Sequence, residues 1–355
     1  MENWVEINLT RLKNNYEYIK KIAGKPICAV IKADGYGVGS YEIAKELEEL
    51  GVKSFAVAFL QEALELRKFG IESEILILNY VSYDKLSEIE DDKLIFSIYS
   101  LDQLKTYMIG KSLNKYRFHI KLNSGMNRLG INREEIPELG EIALEEKMNV
   151  EGIYSHFAHV EDEEFTKFQY ENFMEMGNTL EDVFEKKLLR HISNSGGVLK
   201  YPTYTLDFVR VGMGLYGLQP LEQKDLNIKG IITWKSKISA IREVKKGERI
   251  SYGKEVLEES KKIAIIPVGY AHGYMRQLKK DAFVIVKGHK CRILGKIFMD
   301  QMMIDVSDIE VSFGDEVVLL GDQVEASVIG EFSDTIADDV ISKISPRIER
   351  VFIKE

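Results

Sequence analysis

Residues 28–80 read CAVIKADGYGVGSYEIAKELEELGVKSFAVAFLQEALELRKFGIESEILILNY and set the pattern for the first half of the chain. Three short apolar runs, CAVIKA (28–33), SFAVAF (54–59) and ILILNY (75–80), alternate with two longer segments, SYEIAKELEELG and QEALELRKFG. The apolar residues of the longer segments recur every three or four positions, which is typical of amphipathic helices. Strands that are apolar on both faces and separated by such helices predict a parallel sheet covered by helices.

The same alternation continues to about Gly217. It adds five strands: LIFSIY (94–99), FHIKLN (118–123), EGIYSHFA (151–158), LRHISNS (189–195) and DFVRV (207–211). Eight strands with intervening helices predict a closed (β/α)₈ barrel of the TIM type. After about Leu226 the sequence consists of β-rich segments with glycine-containing turns, which predicts a mainly antiparallel β domain. We therefore predict an α/β protein with a barrel domain in residues 1–225 and a β domain in residues 226–355.

Composition limits the possible functions. The chain has 355 residues, 45% of them hydrophobic, and a net charge of −9. These values predict an ordinary globular protein without broad affinity for nucleic acid. The sequence contains no apolar run of membrane-spanning length, and its N-terminal residues lack a signal-peptide pattern. Because Cys28 and Cys291 are too few for a disulfide framework, we expect a cytoplasmic protein with no membrane partner.

Polar residues near the strand ends indicate a site at one rim of the barrel. Lys32 follows the apolar run Ala29–Ile31, and a desolvated lysine can act as an amine nucleophile toward a carbonyl cofactor. A strand-end lysine that simply reaches solvent is the alternative. The corresponding ends of other strands carry Arg128, His156, Asn194, Ser195 and Arg210. Because barrel enzymes build their active sites at the carboxyl ends of the strands, this set predicts an active site.

The segment GMGLYG (212–217) matches the G-x-G-x-x-G spacing of dinucleotide-binding loops. That motif needs a helix that begins on the glycines, whereas this one precedes LQPLEQKDLNIKG and a β-rich region. Its position after the eighth strand favours a phosphate-binding loop instead, because phosphate often binds after strands seven and eight of a barrel. His156 and His159 do not form a metal site by themselves, so no metal is predicted.

The segment AVIKADGYGVG (29–39) resembles the signature of alanine racemases, in which the lysine holds pyridoxal 5'-phosphate. Further stretches resemble the same family in the same order: KLNSGMNRLGI, IYSHFA, HISNSGG, RVGMGLYG, ISYGKEV, PVGYAHGY, GKIFMDQ and SPRIERVF. The resemblance extends from Trp4 nearly to the C-terminus. It implies a homodimeric isomerase that interconverts L-alanine and D-alanine and supplies D-alanine for cell-wall synthesis.

The resemblance also implies roles for individual residues. Lys32 would hold the cofactor as a Schiff base and serve as one catalytic base, and Tyr252 would be the second base, on the opposite face of the substrate. Arg210 would face the pyridine nitrogen, and His156 would link Arg210 to Tyr252. The implied cofactor contacts are Lys32, Tyr36, Leu78, His156, Asn194, Ser195, Arg210, Gly212 and Met213, with Tyr36, Ser195, Gly212 and Met213 at the phosphate.

The implied substrate contacts are Arg128, Tyr270, Met299 and Asp300. Of these, Met299 and Asp300 would come from the partner subunit. Lys121 matches a lysine that is often carbamylated in this family, where it orients the arginine. Two bases on opposite faces suit racemisation, because a single base would tend to return the proton to the face it came from. An arginine at the pyridine nitrogen disfavours protonation of that nitrogen and hence transamination.

The sequence departs from the family pattern at Gly35, Val38, Asn123 and Pro346, where alanine, histidine, aspartate and, in some members, tyrosine are found. Pro346 leaves the substrate preference open, so a serine or broad-specificity racemase is an alternative. A related barrel decarboxylase would carry an acid near the pyridine nitrogen and a catalytic cysteine, and neither is evident. A non-catalytic pyridoxal-phosphate-binding protein would lack the β domain and Tyr252.

Overall fold

The computed structural model describes residues 2–108, 113–222, 226–252 and 255–355. The chain begins with strand β1 (Asn3–Asn8) and helix α1 (Leu9–Ala23). The Asn8 side chain accepts a hydrogen bond from the Arg11 N–H and caps the start of this helix, and Gly24, with a φ of 57°, ends it. An asparagine N-cap and a left-handed glycine at the C-terminus are the residue types that these positions favour.

Eight parallel strands then form one sheet in which the first seven pair in chain order and the eighth pairs with the first. They are β2 (Ile27–Val30), β3 (Ser54–Val57), β4 (Glu74–Ile77), β5 (Leu94–Ile98), β6 (Arg117–Lys121), β7 (Asn149–Tyr154), β8 (Leu189–His191) and β9 (Val209–Val211). Two backbone hydrogen bonds join the remaining edges, from the Asp207 N–H to the Arg190 carbonyl (3.1 Å) and from the Arg210 N–H to the Ser193 carbonyl (3.0 Å). The predicted eight-stranded barrel is confirmed.

Helices surround this barrel. They are α2 (Ser40–Glu49), α3 (Leu60–Lys68), α4 (Tyr83–Ser87), α5 (Leu101–Met108), α6 (Ile136–Glu145), α7 (Glu163–Phe184) and α8 (Ser195–Lys200). Each long helix buries one apolar stripe, such as Phe173, Met176 and Leu180 of α7. Their three- and four-residue spacing places these side chains on one face of the helix. None of the described helices combines the length and apolar character needed to cross a bilayer.

The second domain is built on a nine-stranded sheet with a separate two-stranded hairpin. Its strands are β10 (Ile232–Lys237), β11 (Ala240–Val244), β12 (Arg249–Ile250), β13 (Glu255–Val256), β14 (Lys261–Ile266), β15 (Phe283–Val286), β16 (His289–Leu294), β17 (Met302–Asp305), β18 (Glu316–Leu320) and β19 (Glu349–Ile353), with helices α9 (Ala326–Ser333) and α10 (Ala337–Ser342). Apart from the pair β1–β19, neighbouring strands of the sheet run antiparallel. The predicted antiparallel character of this domain is confirmed.

Strand β1 lies in the second sheet, between β10 and β19, although the predicted division at residue 225 groups it with the barrel. Its residues Val5 and Ile7 are fully buried and alternate with partly exposed ones, as expected for a strand that covers a core with one face. Helix α1 continues from it onto the barrel, where Asn15 donates to the carbonyls of Leu215 (3.1 Å) and Lys229 (2.8 Å). One cluster of buried apolar residues extends through both domains, so their junction is packed.

Candidate active site

A cavity of about 830 Å³ lies beyond the carboxyl ends of the barrel strands, a volume typical of small-molecule sites. It is lined by every barrel residue that the sequence predicted for the site: Lys32, Tyr36, Leu78, Lys121, Arg128, His156, Asn194, Ser195, Arg210, Gly212 and Met213. The barrel therefore brings together residues that are as much as 181 positions apart, from Lys32 to Met213 (213 − 32).

Lys32 lies in a left-handed turn. Strand β2 ends at Val30, three residues before the predicted end of that strand, and Lys32–Gly37 form a single turn of helix. The backbone from Ala33 to Tyr36 has φ values of 52° to 61°. Left-handed backbone costs about 1–2 kcal/mol for each residue other than glycine. Strain of this kind is concentrated at functional sites, and here it carries both Lys32 and Tyr36 to the cavity.

Two carboxylates stabilise this left-handed turn. The Glu62 side chain accepts hydrogen bonds from the N–H groups of Ala33 (2.5 Å) and Ala58 (2.8 Å). The Asp34 side chain accepts one from the Ser40 N–H (2.9 Å). Hydrogen bonds to charged acceptors are among the stronger ones in proteins, so these contacts offset part of the strain.

Tyr36, Ser195 and Gly212 meet at one end of the cavity. A Cβ atom on Gly212 would lie 2.3 Å from the Tyr36 hydroxyl, so only glycine fits at this position without displacing the tyrosine. The Ser195 hydroxyl accepts hydrogen bonds from the N–H groups of Gly212 and Gly214, both at 3.2 Å. This end of the cavity thus presents two hydroxyl groups beside a glycine backbone, which suits a phosphate group.

The cavity is rich in cations. Lys32, Lys121, Arg128 and Arg210 all line it, together with the carboxylates of Asp338, Glu161 and Glu222. Burial, together with the positive charges of Arg128, Arg210 and Lys32, lowers the pKa of Lys121 to about 8. A concentration of like charges of this kind favours an anionic ligand.

Arg210 projects from β9 and is held by its neighbours. Its guanidinium donates from Nη2 to the Ser155 carbonyl (2.5 Å) and lies 3.4 Å from His156 Nδ1. From Nη1 it donates to His191 Nδ1 at 2.6 Å. Burial and the positive charge of Arg210 lower the pKa of His156 well below its ordinary value, so this histidine is neutral. The His156 Nε2 is 3.5 Å from Asn194 Nδ2, and both residues line the cavity.

Asn123, one of the departures from the family pattern, organises the loop that carries Arg128. Its Nδ2 group donates to the side-chain oxygens of Asn127 and Asn132, both at 2.9 Å, and its Oδ1 accepts from the Asn127 N–H at 3.0 Å. An aspartate could accept the last bond but could not donate the first two. Pro346, another departure, does not line the cavity of its own chain.

The predicted site residues of the β domain are not in this cavity. Tyr252, Tyr270, Met299 and Asp300, which we call the β-domain patch, are exposed, and none of them lines the cavity of the same chain. The patch is continuous, because the Tyr252 ring contacts Phe298 (5.0 Å between centroids) and the Tyr270 N–H donates to the Phe298 carbonyl (3.0 Å). Within one chain, the β-domain patch is therefore a surface separate from the cavity.

The structure also places residues at or beneath the cavity that the sequence did not identify. Asp338 belongs to α10 of the β domain and lines the cavity of its own chain. One oxygen of its carboxylate is buried without a hydrogen-bond partner among the described residues, and burial raises its pKa. His119 and His191 lie inside the barrel beneath Arg210. Their signal in the sequence is a polar residue within an otherwise apolar strand, whereas nothing in TIADDV distinguishes Asp338.

Comparisons with known proteins identify the family of both domains. The family described as "Alanine racemase, N-terminal domain" matches residues 7–220, and "Alanine racemase, C-terminal domain" matches residues 231–352. The alanine racemase of Desulforamulus reducens is 35% identical over 365 residues, which cover 99% of this chain and 98% of that protein.

Solved structures give the same result. The structure of alanine racemase from Clostridium difficile 630 is similar, with 36% identity and a TM-score of 0.93, and the match covers 100% of this chain and 96% of that one. The alanine racemase from Bartonella henselae, solved with covalently bound pyridoxal phosphate, is 24% identical and has the same fold, with a TM-score of 0.91 over 99% of this chain and 100% of that one.

Proposed function

Because this chain belongs to the alanine racemase family, we propose that it interconverts L-alanine and D-alanine with pyridoxal 5'-phosphate held on Lys32. The observation that carries the proposal is one cavity in which Lys32 lies with a hydroxyl-lined end and a buried arginine. The product D-alanine would serve cell-wall synthesis. We place the enzyme in the cytoplasm, which the unpaired thiols of Cys28 and Cys291 support.

The residues present fit the cofactor. Tyr36, Ser195 and Gly212 would hold the phosphate, since the hydroxyl groups of Tyr36 and Ser195 meet beside the Gly212 backbone, which leaves no room for a side chain. Leu78, Asn194 and Met213 line the same cavity and would complete the contacts. When bound, pyridoxal phosphate withdraws electrons from the α-carbon of an amino acid and makes its α-proton acidic.

Arg210 would lie at the pyridine nitrogen. A guanidinium has five N–H donors and no acceptor, so it can only donate to that nitrogen and disfavours its protonation. An unprotonated ring withdraws electrons less strongly, and proton transfer is then directed to the α-carbon of the amino acid. This supports racemisation over transamination.

Two groups would move the α-proton. Lys32 would take or return it at Nζ on one face, and Tyr252 of the partner subunit would do so at its hydroxyl on the other face. The neutral imidazole of His156 lies 3.4 Å from Arg210 at Nδ1 and 3.5 Å from the Asn194 amide nitrogen at Nε2, and it would link the guanidinium to the phenol oxygen of that tyrosine. Positioned proton-transfer groups typically contribute about 10²- to 10⁴-fold each.

The substrate carboxylate would bind Arg128. Lys121, which belongs to the same cluster of cations, would orient Arg128 once carbamylated, because a carbamate replaces a positive charge with a negative one beside the guanidinium. Tyr270, Met299 and Asp300 would approach from the partner. A two-fold dimer makes this contact reciprocal, so two equivalent sites form, each from both chains.

The test is a comparison of substrates. Purified protein supplied with pyridoxal phosphate is incubated with each L-amino acid, and the D-enantiomer is measured by chiral chromatography. We expect alanine to be racemised fastest and serine more slowly. Faster racemisation of serine than of alanine would show that serine is the preferred substrate. Release of carbon dioxide without racemisation would indicate a decarboxylase.

Reduction with borohydride tests the cofactor site independently. It should fix the pyridoxyl group on one lysine, and peptide mapping should locate that group on Lys32. The variant Lys32→Ala provides the control, because it should remain unlabelled. A label on another lysine in the wild-type protein would contradict the assignment.

A further inference from the structure

Two histidines are buried inside the barrel beneath Arg210. His119 is 2% exposed and His191 is fully buried, and neither lines the cavity. Their rings are 5.1 Å apart, and His119 Nδ1 lies 2.9 Å from His191 Nε2. His191 Nδ1 lies 2.6 Å from Nη1 of Arg210. A chain of three side chains therefore leads from the cavity wall into the barrel interior.

Each hydrogen bond in this chain has only one possible direction. The guanidinium can only donate, so His191 Nδ1 must be the acceptor. A neutral His191 then carries its proton on Nε2 and donates it to His119 Nδ1. His119 in turn carries its proton on Nε2, and that group has no hydrogen-bond partner among the described residues. Burial keeps both rings neutral, since it lowers the pKa of His119 to about 4 and that of His191 well below its ordinary value.

The rings are also fixed in place. His191 is stacked between Tyr154, with centroids 5.0 Å apart, and Phe208, with centroids 4.1 Å apart. His119 fits because its neighbour is Gly152, where a Cβ atom would lie 2.8 Å from His119 Nε2. A buried N–H without a partner is unfavourable, and an apolar residue in place of His119 would avoid it. The arrangement is explained if His119 has a role that an apolar residue cannot fill.

That role concerns the orientation of Arg210. The Nη1 and Nη2 groups of Arg210 donate to His191, Ser155 and Ile192. Its Nε–H has no partner among the described residues, and Arg210 lines the cavity. If His191 carried its proton on Nδ1, two N–H donors would face each other and Arg210 would lose this anchor. The tautomer of His191 therefore determines whether the guanidinium keeps its hydrogen bond to this ring, and without that bond only backbone carbonyls and the longer contact to His156 hold it.

We propose that His119 is a positioning residue for Arg210: by accepting the His191 Nε2–H, it keeps the His191 Nδ1 lone pair directed at the guanidinium. The inference rests on the proposed function, in which Arg210 faces the cofactor's ring nitrogen. An Arg210 that is less firmly held allows that nitrogen to take up a proton. More turnovers then transfer the amino group of alanine to the cofactor, which becomes its pyridoxamine form, and release pyruvate.

Two variants separate hydrogen bonding from packing. His119→Asn keeps an acceptor, because the side-chain oxygen of asparagine occupies nearly the position of the histidine Nδ1. His119→Leu fills similar space without an acceptor. We expect the amount of pyruvate formed per D-alanine formed to rise roughly tenfold in His119→Leu, the factor expected for the loss of one hydrogen bond, and to stay near the wild-type value in His119→Asn.

Nitrogen-15 NMR of histidine-labelled holoenzyme tests the tautomer directly. In the wild-type protein and in His119→Asn, His191 should carry its proton on Nε2, and in His119→Leu its Nδ1–H form should appear. A wild-type His191 protonated on Nδ1 would overturn the proposal, even if His119→Leu did not fold. An unchanged pyruvate ratio in folded His119→Leu, or an equal rise in both variants, would also overturn it. Absence of racemase activity in the wild-type protein would instead contradict the proposed function and leave the tautomer measurement valid.

Discussion

Gly212 limits the size of the phosphate end of the cavity. A Cβ atom there would lie 2.3 Å from the Tyr36 hydroxyl, and Tyr36 cannot easily retreat because its ring packs 4.6 Å from that of Tyr216. We expect Gly212→Ala to weaken pyridoxal phosphate binding by roughly 10- to 100-fold, since a hydrogen bond to a charged group contributes about 1.5–3 kcal/mol. Titration of the apoenzyme, followed by cofactor absorbance, measures this. Gly230→Ala is the matched control, because nothing lies within 4 Å of its Cβ position; equal weakening in both variants would contradict the prediction.

Lys121 should react with carbon dioxide as the pH rises. Its pKa is lowered to about 8, and only the neutral amine forms a carbamate, so the reactive form increases as the pH passes from 7 to 9. With ¹³C-bicarbonate, we expect a carbamate signal in carbon NMR that is stronger at pH 8 than at pH 6. The variant Lys121→Gln should lack it. A wild-type protein without the signal at pH 8 would show that Lys121 remains an ordinary amine.

Individual site residues that belong to a recognisable motif could be predicted from the sequence. Site residues outside any motif could not. Lys32 and Arg210 stand next to glycine-rich segments at strand ends, and both line the cavity. Asp338 reaches the same cavity only because α10 packs on the left-handed turn, where a Cβ atom on Gly37 would lie 2.9 Å from the Ile341 carbonyl. That contact joins segments about 300 residues apart, and such pairing is not encoded by local periodicity.

At the scale of elements, Glu181 attaches helix α7 to strand β8. It is 6% exposed, and its carboxylate accepts hydrogen bonds from Lys187 Nζ (2.6 Å), the Leu188 N–H (3.1 Å) and Arg190 Nε (3.1 Å). We expect Glu181→Gln to lower the free energy of unfolding at pH 7 by about 1.5–3 kcal/mol, the range for hydrogen bonds to charged groups. Urea unfolding measures this. Glu175→Gln on the same helix is the control, because its pair with Arg133 is exposed and such pairs contribute little.

The effect of Glu181 should depend on pH. Burial by itself would raise the pKa of Glu181, but the hydrogen bonds from Arg190 and Lys187 outweigh it and hold the pKa at about 2. The unfolded value is about 4.3, so the folded state binds the proton less tightly. The stabilisation is therefore complete above about pH 4.3 and is lost as the pH falls toward 2. The difference between wild type and Glu181→Gln should shrink between pH 7 and pH 3.5, and a difference that grew would contradict this account.

Several barrel strands, such as β2 and β4, could be predicted because they are apolar on both faces, which is a local property. The place of strand β1 in the second sheet could not, since its partners β10 and β19 lie more than 200 residues away along the chain. The left-handed turn after Lys32 was also missed, and the sequence instead suggested a strand to Ala33. Its stability depends on Glu62 and on close packing by residues far along the chain.

At the scale of the whole molecule, the cavity and the β-domain patch lie apart in one chain, and we propose that each is one half of a shared site. The cavity contains Lys32, while the β-domain patch with Tyr252 is exposed and outside it. Tyr252 is 61% exposed and Met299 58%, and large apolar side chains grouped at a surface commonly mark an interface. A two-fold dimer would cover the patch and close the cavity against water, which protects a carbanion from unwanted protonation.

Mixing of subunits tests this two-base, shared-site account most directly. Lys32→Ala and Tyr252→Phe proteins are dissociated, combined in equal amounts and re-associated, and racemisation of L-alanine is measured. In a mixed dimer one site carries both changes and the other carries neither. We expect about one quarter of the wild-type activity, since about half of the dimers are mixed and each has one intact site. Activity that stays at the level of the separate variants, with mixed dimers shown to be present, would contradict the account.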